Sequence, residues 1–247
     1  MTTADVRAAA QQLVRFHERF APLFGRPEAQ DLAHSYLNGL MTCPGRKTIE
    51  PIALAAGHGK VSGLQKFINR APWQADDLQA EAQAAFAERL VPSANRWPIG
   101  TVGVLDETSF TKRGRHSAGV ARQHCGRLGK TENCQVGVFL IGVTPAGSAL
   151  LDHRLYLHQN WFDPADGAAR RERAHIPEDV AFRTKPQIAA ELVRAVAVND
   201  QVRLDWVVAD QVYGQNGELL DELEALGLRY LMALPVGTGA AGDSCRL

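Results

Sequence analysis

Two apolar runs, separated by roughly a hundred residues, each end on an aspartate: GVLD at Asp106 and VVAD at Asp210. Both runs are apolar enough to be central strands of a sheet covered by helices. Open α/β sheets place their chemistry at the carboxyl ends of such strands. Two carboxylates brought side by side there repel each other unless a cation sits between them. A hard divalent ion such as Mg²⁺ suits them, because it prefers oxygen ligands and keeps waters that a substrate can replace. A lone aspartate at a strand end more often caps the turn or helix that follows. The metal expectation therefore rests on the pair.

The pattern around these runs predicts a mixed α/β domain after Trp97. IGTVGVLDETSF reads as a strand, and NCQVGVFLIGVTPAGSALLDHRLYL as a hairpin turning at TPAGS. KPQIAAELVRAVAV reads as a helix starting at Pro186, LDWVVADQVYG as a strand, NGELLDELEALG as a helix closed by Gly227, and RYLMALPV as a last strand. Before residue 97 the pattern is helical. DVRAAAQQLVRFHERFAPLF sets Val6, Leu13, Phe16 and Phe20 roughly on one face, and PEAQDLAHSYLNGLM weakens at Gly39. Short helices follow on both sides of GHGKVSG, then a long amphipathic helix in QADDLQAEAQAAFAERLV. Short helices around a glycine turn fit a helix-turn-helix DNA reader, and equally an ordinary small helical bundle. The domain expectation is a helical region over 1–97, an α/β core over 98–236 and a disordered tail over 237–247.

Charge sharpens the reading. The chain carries 27 basic and 27 acidic residues, so no global polyanion preference exists. Residues 108–131 nevertheless contain no acid at all, while Lys112, Arg113, Arg115, Arg122, Arg127 and Lys130 all fall there. A basic segment directly after a carboxylate-tipped strand suits a polyanion whose backbone is held while it is cut. The plainer alternative is a solvated basic loop. No apolar run is long enough to span a membrane, and the N-terminus lacks the features of a signal peptide. Four scattered cysteines do not make a secreted disulfide scaffold, so a reducing cytoplasm is the expected compartment. Cys125 and Cys134, near His116 and His124, lack the spacing of a zinc site. Tyr213 in DQVYG follows Asp210 closely enough for a tyrosine nucleophile to be conceivable, but it is expected to pack or to contact DNA.

LDETSFTKRGRHSAGVARQHCGRLGKTENCQVGVFL, ALLDHRLYL, FRTKP and VVADQVYG, in that order, resemble bacterial insertion-sequence transposases of the DDE type. RKTIEPIA and LQKFINRAPW resemble the helical region of the same family. The resemblance implies an RNase H-like catalytic core, Mg²⁺ or Mn²⁺, and cleavage of double-stranded DNA at terminal inverted repeats followed by strand transfer into target DNA. It implies that Asp106 and Asp210 are the first two catalytic, metal-holding acids. Glu107 follows Asp106 and points to the other strand face, so it is left outside the metal site. The family's third acid is a glutamate on a later helix. Glu218, Glu222 and Glu224 lie too soon after Asp210 to take its place, and Asp243 falls in the tail. No third acid is assigned. The expectation is a C-terminally truncated transposase that does not complete transposition. A DNA-binding remnant that pairs with or inhibits a full-length copy and a general RNase H-like nuclease are the alternatives.

Overall fold

The computed structural model describes residues 2–57, 61–199 and 201–234. The chain forms two compact units, Met1–Glu81 and Ala82–Leu247. Helices in chain order are α1 (Thr3–Phe20), α2 (Pro27–Thr42), α3 (Ile49–Ala55), α4 (Val61–Arg70), α5 (Ala75–Arg89), α6 (Val91–Ala94), α7 (Gly167–Arg173), α8 (Lys185–Val198), α9 (Gln211–Gly214) and α10 (Gly217–Ala225). Strands are β1 (Val102–Thr111), β2 (Ala121–Cys125), β3 (Lys130–Thr144), β4 (Gly147–Tyr156), β5 (Trp206–Ala209) and β6 (Arg229–Met232).

The first unit is helical. Thr2 and Asp5 cap α1 reciprocally, each side chain taking the other's backbone N–H. The stripe expected along α1 is largely solvated: Phe20 is buried, but Val6 is 48% exposed and Phe16 lies at the surface. Gly39 is not a weak point in α2. A Cβ there would lie 2.3 Å from the carbonyl oxygen of Ile52, so the residue is the contact at which α3 approaches α2. Leu64 and Phe67 of α4 are buried, and Phe67 joins Phe24 and Trp73 in a ring cluster. The glycine turn expected between α3 and α4 includes residues 58–60, which lie outside the described residues.

The second unit is built on a six-stranded mixed sheet. β1 lies antiparallel to β3 and parallel to β5, and β5 lies parallel to β6. β3 is long enough to pair β2 along its first residues and β4 along the rest. The β3–β4 hairpin turns where TPAGS sits. Helix α8 covers one sheet face through Ile188, Leu192, Val193 and Val196, which pack with Leu105, Val138, Leu140, Val207 and Tyr213. Thr184 and Gln187 close a capping box at its start, and Pro186 occupies its first turn. The opposite face is more open. Leu150, Ile141, Val104, Val208 and Leu231 stand in one row across five strands, and Leu231 is 66% exposed. The architecture is mixed α/β with a helical N-terminal region, consistent with an RNase H-like fold. The expected tail, 237–247, lies outside the described residues. Among the described residues no helix is long and apolar enough to cross a membrane.

Candidate functional site

The register of β1 against β5 is set at their amino-terminal ends. The Asp205 N–H donates to the carbonyl of Thr101 at 2.8 Å, and the Asp205 carboxylate takes the Thr101 N–H at 2.8 Å. From there the strands run in step, through Val102 opposite Trp206 to Leu105 opposite Ala209. The next residues are Asp106 and Asp210. Neighbouring strands lie about 4.8 Å apart, so the two aspartates flank one another where the parallel pairing stops. β5 ends there, but β1 runs on to Thr111 against β3, so Asp106 sits in the middle of its strand and not at the strand end expected from the sequence.

Their local bonding leaves them open to a ligand. Asp106 Oδ1 accepts the Glu107 N–H at 2.7 Å. Asp210 is the N-cap of α9, its Oδ1 accepting the Val212 N–H at 2.9 Å. Both residues are exposed, and among the described residues neither has a salt-bridge partner. Asp210 thus does cap a helix, as a lone aspartate would, yet one oxygen of each carboxylate remains for another partner. An all-oxygen donor pair of this kind fits Mg²⁺ or Mn²⁺. Among the described residues no group of three or more His, Cys, Asp or Glu side chains gathers to hold a metal ion.

Glu107 does point to the face opposite Asp106, and what it meets there was not legible in the sequence. Its Oε1 accepts from Lys185 Nζ at 2.6 Å, and its Oε2 from the Tyr213 hydroxyl at 3.3 Å. Lys185 opens α8 and Tyr213 lies in α9, so one carboxylate ties the middle of β1 to the start of α8 and to the turn that follows Asp210. Tyr213 is fully buried. Burial first, then the charges of Glu107, Asp210 and Asp106, hold its proton on far above the usual phenol range. The tyrosine is a packed donor to Glu107, as expected of a packing residue.

The basic segment is an ordered wall. The Lys112 N–H donates to Asn133 O, and Asn133 Nδ2 donates back to the carbonyls of Lys112 and Gly114 at 2.6 and 3.0 Å. Gln135 Nε2 holds the carbonyl of Ala118. Part of the segment is strand rather than loop: β2 alternates buried Ala121, Gln123 and Cys125 with exposed Arg122 and His124. Lys112, Arg113, Arg115 and Arg122 line one cavity of about 710 Å³. Arg127 and Lys130 are not among its lining residues. Arg127 donates to Thr111 Oγ1, and Lys130 pairs with Glu132 at 3.6 Å. Cys125 and Cys134 are wholly buried beside Val136, and burial raises the Cys134 thiol pKa. The later glutamates are engaged elsewhere, Glu222 with Arg194 and Glu224 with Tyr230.

A family model described as DDE superfamily endonuclease matches residues 19–239. A curated protein from Microchaete diplosiphon, the "probable transposase for insertion sequence element IS701", is 29% identical over 204 residues, which is 82% of this chain and 48% of the relative. The chain therefore spans about half the length of the curated relative it matches.

Proposed function

The chain belongs to the DDE superfamily endonucleases, and we propose that it serves DNA transposition, contributing metal-dependent cleavage at the ends of an insertion sequence and transfer of those ends to target DNA. The observation that carries the proposal is the matched register of β1 and β5, which sets Asp106 beside Asp210 with an oxygen of each unengaged. In this reading Asp106 and Asp210 hold Mg²⁺ or Mn²⁺. A metal held there would polarise the phosphodiester and neutralise charge on the attacking and leaving oxygens. The chain's own part is to keep the two carboxylates in step and to hold the DNA backbone against them. Asp210 is fixed by its cap to α9, and Asp106 by its place inside β1. Lys112, Arg113, Arg115 and Arg122 present guanidinium and ammonium groups to phosphate oxygens, and Arg binds these in pairs.

Two carboxylates define an ion's position less well than three, and a misplacement of ~1 Å can cost ~100-fold in rate. The 247-residue chain alone is therefore expected to cut slowly, faster in Mn²⁺ than in Mg²⁺, and to join ends poorly. A role in binding DNA without cutting it is the second reading, supported by the lack of a third converging acid among the described residues. The test compares DNA bearing the native element's ends with DNA of equal length lacking them. Preferential binding of the ends, with nicking that requires Mn²⁺ and stops with EDTA, is expected. Preferential binding with no nicking in either metal assigns the second reading. Equal binding and metal-dependent cutting of both DNAs would assign a general nuclease and overturn the transposition proposal.

A further inference from the structure

The cavity behind the basic turn has a second wall that the charge pattern conceals. Helix α7 carries Arg170, Arg171 and Arg173, but Glu172 lies among them and Asp163 and Asp166 come just before the helix, so the stretch shows little net charge. In the fold, Arg170 lines the cavity of about 710 Å³ together with Lys112, Arg113, Arg115 and Arg122. Arg115 and Arg170 also line an adjoining cavity of about 190 Å³, where Arg173 joins them. The two shared arginines make the cavities one trough. Six cations face it against two acids, Glu132 and Asp166. Glu132 is already engaged by Lys130 and by the Asn133 N–H.

The second wall is built as firmly as the first. The Arg170 guanidinium lies 4.6 Å from the centre of the Trp161 ring, and its Nη1 donates to the carbonyl of Asn160 at 3.0 Å. Trp161 is fully buried, and its Nε1 donates to the carbonyl of Val120 at 3.1 Å, at the end of the basic turn. That bond ties the two walls together. Helix α7 can start where it does because residue 167 is glycine: a Cβ there would meet the Trp161 carbonyl oxygen at 2.7 Å. Arg170 forms no salt bridge among the described residues. An arginine stacked and bonded in this way has already given up its rotamer freedom, while most of its fork stays available for a ligand.

Resting on the DNA-substrate reading above, we propose that α7 supplies one wall of a trough for a DNA strand, Arg170 and Arg173 holding backbone phosphates that the basic turn alone does not hold. Like charges brought this close, without enough acid beside them, are relieved by a polyanion, and a strand of evenly spaced phosphates matches a continuous trough. The experiment measures DNA affinity of the full chain against salt concentration. Each phosphate left without its cation lowers the slope of log affinity against log salt by ~0.9, so the double variant Arg170→Gln, Arg173→Gln should show a slope smaller by about 1.8. Arg203→Gln, at the opposite end of the sheet, should leave the slope unchanged. Because Arg170 also braces Trp161, Arg173→Glu provides a second variant: Arg173 is exposed and, among the described residues, bonds only within α7, so the fold should survive while the slope falls. A native slope in both variants overturns the trough and leaves DNA binding standing. Absence of any salt-dependent DNA binding by the native chain overturns both. Poly-glutamate binding that needs Arg170 and Arg173, with DNA binding indifferent to them, reassigns the trough to an acidic protein segment and overturns the proposal.

Discussion

Replacing Arg113, Arg115 and Arg122 together with Gln is expected to lower the slope of log DNA affinity against log salt by about 2.7, at ~0.9 for each phosphate that no longer has its cation. At low salt the variant should bind DNA by orders of magnitude more weakly than the native chain, and the gap should narrow as salt rises. The three arginines share one cavity, and the turn beneath them is held by Asn133 and Gln135 rather than by the arginines themselves. The fold should therefore persist, which circular dichroism and thermal unfolding would check. Arg127→Gln alone should do much less, because Arg127 lies outside that cavity and bonds Thr111. An unchanged slope in the triple variant would mean that the basic wall is only solvated surface.

The second large effect is expected at Lys185. Lys185 and Glu107 are each 21% exposed at the side chain and meet at 2.6 Å. Among the described residues, Lys185→Met leaves a half-buried carboxylate with only the Tyr213 hydroxyl as partner. Breaking a fully buried pair costs ~3–5 kcal/mol, and partial exposure reduces this to about 2 kcal/mol. Adding Glu107→Gln should return most of that stability, because the uncompensated charge is then gone. Urea denaturation of both single variants and of the double variant gives the coupling directly. A destabilisation below ~0.5 kcal/mol for Lys185→Met, well short of that range, would show that the pair does not brace β1.

The contrast between these two regions shows what the sequence could reveal. The adjacency of Asp106 and Asp210 could be anticipated because each ends an apolar run, although β1 itself runs on past Asp106 to Thr111. The hairpin, α8 and α10 were legible from periodicity, turn residues and caps. Strand β2 was hidden, since RQHC alternates Arg122 and His124 with Gln123 and offers no apolar signal. The exposure of α1 was hidden because a helical stripe predicts a face, not whether anything covers it. The partners of Glu107 were invisible for a different reason. Lys185 and Tyr213 are distant in sequence, and only the packing of α8 and α9 against β1 brings them to it. Arg170 and Arg173 were masked by Glu172 and by Asp163 and Asp166 just before α7, although in space the arginines face the trough.

The central claim is one ion shared between Asp106 and Asp210. Manganese binding, followed by the EPR signal of free Mn²⁺, tests it most directly in the native chain, in Asp106→Asn, in Asp210→Asn and in the double variant. Asparagine keeps the backbone bonds, since its carbonyl can still accept the Glu107 and Val212 N–H groups and it is a good N-cap. Folding should thus be intact, and in EDTA the variants should be at least as stable as the native chain because a carboxylate repulsion has been removed. One site of modest affinity is expected in the native chain, weakened at least about tenfold by either single substitution as a ligating oxygen is removed, with the double variant little weaker than a single. Native-strength Mn²⁺ binding in the double variant, or effects of the two single substitutions that simply add, would contradict a shared ion and with it the metal site where the pairing of β1 and β5 stops.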